Sequence, residues 1–125
     1  MENWLTKFPD FHDFRYFLAI QYLLSNNSKS LAHFEVLYPE FLKKPEFLNN
    51  YSWALMEKDH AKALRLAKGS YQLNSSDVDI IDTYALALIK NHKHDMAKEI
   101  LQKGLKVHKQ NETLKSRLST IDSGV

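Results

Sequence analysis

The sequence predicts an all-α fold of stacked antiparallel helix hairpins closed by a C-terminal capping helix. Three observations lead there. Apolar residues recur at helical spacing almost throughout the 125 residues. Glycine and proline number only three each, too few for the frequent turns of a β-sandwich or barrel. The second half of the chain also repeats itself at the interval of one helix hairpin, about 34 residues.

A hydrophobic fraction of 44% with 26% charged residues fits a packed core rather than disorder, and the length suits a single domain over residues 1–125. The absence of cysteine excludes a disulfide framework, a thiol nucleophile and a thiolate metal site. Net charge is +2. Residues 1–60 carry six Lys/Arg against eight Asp/Glu, and residues 61–125 carry eleven against seven. That tilt is too mild to be a nucleic-acid footprint. Met1-Glu2-Asn3-Trp4 lacks the basic start of an export signal. The longest apolar stretch, Tyr16 to Leu24, is interrupted by Gln21 and falls far short of the ~20 residues of a spanning helix. A cytoplasmic protein without membrane insertion is expected, or a periplasmic or envelope-associated one if the chain is a fragment lacking its signal.

Taken in order, Asp10 to Ser25 reads as one helix with Asp10 as N-cap, and Asn26-Asn27-Ser28 as a turn. A second helix runs to about Tyr38 and stops at Pro39, because proline has no N–H and crowds the preceding turn. After a short segment, Glu40 to Lys44, Pro45 starts a third helix that reaches about Glu57. A fourth follows from about Asp59 to Leu73. Ser76 and Asp79 stand at capping-box spacing ahead of a fifth, from about Asp77 to Lys90. The sixth spans about Asp95 to His108, and Asn111 caps a last helix with Leu114, Leu118 and Ile121 on one stripe.

The repeat pairs Leu48, Tyr51, Ser52 and Leu55 with Ile81, Tyr84, Ala85 and Leu88, all four at the same offset. With one more position in the later turn, Ala63, Leu66, Ala67, Ser70 and Leu73 map to Ala97, Ile100, Leu101, Gly104 and Val107. Small residues fall where helix axes must approach closely. A helix pair of this size cannot bury its apolar face alone, so such units stack.

These residues resemble the tetratricopeptide repeat family, in the period of about 34 residues and in the small residues Ser52, Ala85, Ala63, Ser70, Ala97 and Gly104. The resemblance covers residues 46–109, as repeats over 45–74 and 77–109. The chain departs from the family at Leu48 and Ile81, where an aromatic is usual, and at Ser75 and Lys109, where the closing proline is usual. Residues 10–39 look like a degenerate, shortened hairpin with Ala19 in the small-residue slot, and residues 111–121 like the capping helix of such arrays. Asn-Asn-Tyr-Ser-Trp (49–53) and Ile-Asp-Thr-Tyr-Ala (81–85) also look like segments of bacterial repeat proteins from envelope and secretion systems.

The resemblance implies a protein–protein interaction module or scaffold, not an enzyme, with no cofactor and no nucleic acid, whose first helices line a concave groove for a partner peptide or helix. Carried over by position, that groove would hold Tyr16, Phe17 and Ile20, then Asn49, Asn50, Trp53 and Glu57, then Asp79, Asp82, Thr83, Leu86 and Lys90. Trp53 would be a large rigid contact. Asp79 and Asp82 stand where a clamp for a C-terminal carboxylate would need bases, which disfavours acidic ligands.

Two other readings stand beside it. Thirteen of the fifteen aromatics lie within residues 1–53, and the first helix is apolar on most sides. Either Trp4 and Phe8 fold back over it, or it builds a structural homodimer or longer array through Phe11, Phe14, Phe17 and Tyr22. The other reading is a metal or enzymatic site at His92-Lys93-His94, a poor ligand set with one nearby carboxylate, Asp95. Lys68-Gly69-Ser70 lacks the upstream glycine of a phosphate loop. Lys62, Arg65, Lys68, Lys98, Lys103 and Lys106 fall on second helices and read as a solvated outer face.

Overall fold

A computed structural model of the protein describes residues 12–25 and 28–122. The chain divides into two compact units, Met1–Leu42 and Lys43–Val125. The described residues form helices and connecting turns and contain no strand, as the sequence predicts. Asp10, the expected cap of the first helix, and Phe11, Trp4 and Phe8 lie outside the described residues.

The first unit pairs α1 (His12–Leu24) with α2 (Lys29–Phe41). Phe34, Leu37 and Phe41 recur at helical spacing and are buried, as are Leu18 and Ala19 of α1. The Tyr16 ring stands edge-on to Phe34 at 6.4 Å and to Phe41 at 5.5 Å. The predicted stop at Pro39 is corrected, because α2 continues through it to Phe41. A mid-helix proline costs about 3 kcal/mol, while burying a phenylalanine returns roughly 1.5–3 kcal/mol. Pro39 and Glu35, whose carbonyl an N–H at position 39 would have met, are both exposed. His33, 4% exposed, stacks on Tyr22 at 5.6 Å and receives a hydrogen bond of 3.1 Å from Arg15 Nη1 at its Nδ1. A guanidinium only donates, so Nδ1 accepts.

The described residues of the second unit form five helices: α3 (Pro45–Leu55), α4 (His60–Leu73), α5 (Val78–Lys90), α6 (His94–Val107) and α7 (Glu112–Asp122). Each packs on the next, and α5 also packs on α3 and α7. Two hydrogen bonds fix the antiparallel register of α3 and α4. Ser52 Oγ, late in α3, donates to Ala63 O, early in α4, and Ser70 Oγ, late in α4, donates to Pro45 O; both are 2.7 Å. Ser52 and Ser70 are fully buried. Their smallness lets the axes approach, and each hydroxyl finds the acceptor its burial requires.

The repeat is written in the helix ends. N-cap Lys44 matches N-cap Asp77, N-cap Asp59 matches Lys93, and C-cap Asn74 matches His108, each pair separated by one repeat interval to within a single position. Asn111 continues the series, one interval beyond Asp77. The Asp77 carboxylate accepts from Ile80 N and the Asn111 amide oxygen from Leu114 N, both at 3.1 Å. Asp77, and not Ser76, therefore caps α5, and Ser76 Oγ donates to Asn74 Oδ1 instead. The third helix also ends at Leu55, short of the Glu57 that the periodicity suggests, and Met56–Lys58 form a turn before the Asp59 cap.

Gly104 marks the tightest approach. A Cβ there would lie 3.2 Å from Ile81 Cγ2 and from Leu114 Cδ1, whereas one at Gly69 would meet Leu48 Cδ1 at 3.6 Å. Leu114 is fully buried and the exposed positions of α7 are polar, so the last helix closes the core and turns a wettable face outward.

Candidate functional site

The predicted groove residues of the second unit lie along α3 and α5 or just past the end of α3, and all but Thr83 keep part of their surface in solvent. Glu57, just past the end of α3, and Lys90, at the end of α5, occupy equivalent repeat positions and form a 2.8 Å ion pair. One turn nearer the N-termini stand Trp53, 47% exposed, and Leu86, half-buried. Exposing half of a tryptophan forgoes a large part of its burial energy, so this ring is available for contact. The hydrogen bond from Lys90 holds the Glu57 carboxyl below its usual range against slight desolvation, helped by the charges of Lys90 and His60.

Nearer the start of α3 and α5, Glu46, Asn49, Asn50, Asp77, Asp79 and Ile80 line a cavity of about 220 Å³. Proline at the first position of α3 and the Asp77 cap on α5 place these side chains, since both fix where a helix begins. Asn49 Oδ1 is shielded from solvent and accepts no hydrogen bond. Sequence reasoning missed Glu46 and Asp77 as cavity residues, although Glu46 and Asp79 stand at equivalent positions of the two repeats.

Asp82 is engaged within the unit. Arg117 of α7 donates to it from Nε at 2.8 Å and from Nη2 at 3.2 Å. Thr83 is buried, 7% exposed, and belongs to the packing rather than to the surface strip. Arg117 also escaped the sequence reading, because it lies on the capping helix and outside the two clear repeats.

In the first unit, Phe17 is 51% exposed and stacks on Phe14 at 6.3 Å. Tyr16 is half-buried against Phe34 and Phe41, and Ile20 is half-buried. Tyr22, one of the expected self-association residues, is covered by His33 on one side and has Lys29 Nζ at 5.8 Å from its ring centre.

The His92 turn is a helix terminus. His92 adopts φ 60°, its N–H bonds Ile89 O and the Lys93 N–H bonds Leu88 O, the reciprocal pair that ends a helix through a left-handed residue. Among the described residues no group of three or more His, Asp or Glu is arranged to hold a metal ion. Of the outer basic residues, Lys62 is half-buried, with Nζ 5.2 Å from the Tyr51 ring centre, and Arg65, Lys68, Lys98, Lys103 and Lys106 are exposed. Among the described residues no helix is long and apolar enough to cross a membrane.

No protein-family model matches this chain, and no curated protein matches it either.

Proposed function

We propose that the chain is a non-enzymatic protein-interaction module of the tetratricopeptide type, seating a peptide or helix of a partner protein on the strip that carries Asn50, Trp53 and Leu86. The observation that supports this most is the half-exposed Trp53 ring, aligned with Leu86 by the same interval that joins Glu57 to Lys90. Large aromatics held on rigid helices are the residues that dominate binding energies. The constant interval between helix caps and the small residues at the helix crossings support the family reading. A cytoplasmic scaffold role accords with both. Affinity capture with the full chain and with Trp53→Ala tests the site. Partners should be retained by the first and lost by the second, and equal retention by both removes Trp53 from the function.

Self-association is the second reading, supported by Phe17 and Leu24, 51% and 76% exposed on α1. Sedimentation across a concentration range tests it, with a dimer that Phe17→Ser dissociates as the expected result and a concentration-independent monomer as the refutation.

A further inference from the structure

We infer that two copies of this chain associate through α6, each α6 lying antiparallel to the other about a twofold axis that passes between Leu101 and Gln102. The face used is separate from the exposed residues of α1 and from the site on α3 and α5, and the inference depends on neither.

Apolar residues cover more of α6 than its own unit buries. Ala97, Leu101 and Gly104 form the buried side. Met96, Ile100, Lys103 and Val107 recur at helical spacing on a second side, within roughly 60° of one another around the axis. Met96 is 45% exposed, Val107 69% exposed and Ile100 half-buried. The equivalent face of the preceding repeat is better covered, since Leu66, which matches Ile100, is 5% exposed and Leu73, which matches Val107, is 49% exposed. A helix that is apolar beyond the side its neighbours cover has a face left for a further partner.

Charge identifies that partner. Glu99 stands beside the stripe in the first half of α6, Lys106 stands on the same flank in the second half, and Lys103 lies within the stripe; all three are exposed. Among the described residues none of them makes an ion pair. Asp95 adds a second negative charge to the first half, while Lys98 lies roughly opposite the stripe. An anionic ligand would meet Glu99 and Asp95, and a cationic one Lys103 and Lys106. A second α6 turned end for end meets both halves with the opposite sign, and the helix dipoles then oppose each other favourably. In that arrangement Met96 faces Val107 of the other copy, Ile100 packs on the stem of Lys103, and Glu99 reaches the ammonium groups of Lys103 and Lys106, each contact being made twice by symmetry. The face is 14 residues long, about 21 Å by 10 Å. That is well below the roughly 800 Å² per partner of a stable complex, so the dimer is weak, with a dissociation constant on the order of 0.1 mM.

Sedimentation equilibrium of the full chain at concentrations up to about 1 mM tests this, with the helicity of each variant checked by circular dichroism. The parent should dimerise. E99K, which sets lysine against lysine, and K106E, which sets acid against acid, should each weaken the dimer on the order of tenfold, and the double variant E99K/K106E should return to within about threefold of the parent because it restores the pairs with their signs exchanged. V107S should also weaken it. A dimer that E99K and K106E leave unchanged, or that Phe17→Ser alone dissociates, is built elsewhere and overturns the inference. Failure of the double variant to recover overturns the antiparallel pairing. A chain that stays monomeric at about 1 mM overturns the inference as well, and shifts of the α6 amide signals on adding phosphatidylserine vesicles would then assign the stripe to an anionic surface instead.

Discussion

Arg117 grips Asp82 with two donors, at 2.8 and 3.2 Å, and the two side chains are 25% and 17% exposed. The pair ties α7 to the middle of α5, where a bidentate guanidinium is both strong and directional. Removing one partner leaves a partly desolvated charge, so Arg117→Gln should destabilise the second unit by about 1–3 kcal/mol. Asp82→Asn, which keeps one acceptor, should cost less. Denaturant unfolding of the variants checks both.

Two glycines in equivalent second helices should respond differently to the same substitution. Gly69→Ala adds a methyl in ordinary contact with Leu48 Cδ1 at 3.6 Å and gains about 0.8–1 kcal/mol of helix propensity. Gly104→Ala pushes the methyl to 3.2 Å from Ile81 and from Leu114, both buried. Overpacking of this kind costs roughly 1–3 kcal/mol, which cancels or exceeds the same propensity gain. Thermal unfolding should show Gly69→Ala melting higher than the parent and Gly104→Ala no higher or lower.

His92 holds a left-handed backbone, φ 60°, at the end of α5. That conformation costs a residue with a Cβ about 1 kcal/mol relative to glycine. His92→Gly should therefore stabilise the protein by up to about 1 kcal/mol, reduced by the greater freedom glycine gives the unfolded chain. A drop in stability would mean that the imidazole makes a contribution larger than the strain.

Tyr84 ionises above the usual 10 of a phenol, because burial disfavours the phenolate and because Tyr71 lies close, ring centres 5.0 Å apart. Below pH 10 the phenol is neutral in folded and unfolded chains alike. As pH rises past 10 the unfolded chain loses its proton first, so the stability held by the neutral phenol falls away toward the folded-state value. Tyr84→Phe should show a shallower loss of stability than the parent as pH rises past 10, and ultraviolet titration should find one late-ionising tyrosine fewer.

Helix number, order and most boundaries were legible because each helix carries its own apolar period, and because Asn111 is a side-chain cap recognisable from its place before the last apolar stripe. Pro39 misled because its local cost is visible in the sequence, while the burial of Phe41 against Tyr16 that offsets it is not. Asp77 displaced Ser76 as the α5 cap since both are good caps at adjacent positions, and only the chain path decides between them. At the candidate site the repeat interval pairs Trp53 with Leu86, as it pairs Glu57 with Lys90, which form an ion pair. The engagement of Asp82 by Arg117 and the shielding of Asn49 depend on how α5 meets α7 and α3, which no local pattern encodes.

Among the five helices described for the second unit, α5 alone packs on all of the other four. Every other helix of the unit can in principle detach with fewer neighbours disturbed, whereas freeing α5 dissolves the unit. Amide protons of Ile81, Tyr84, Ala85 and Leu88 should accordingly exchange only through global opening, while those of α7 exchange through cheaper partial openings. A ligand lying across α3, α5 and α7 would close off those partial openings. Its binding would then be visible as slowed exchange in α7.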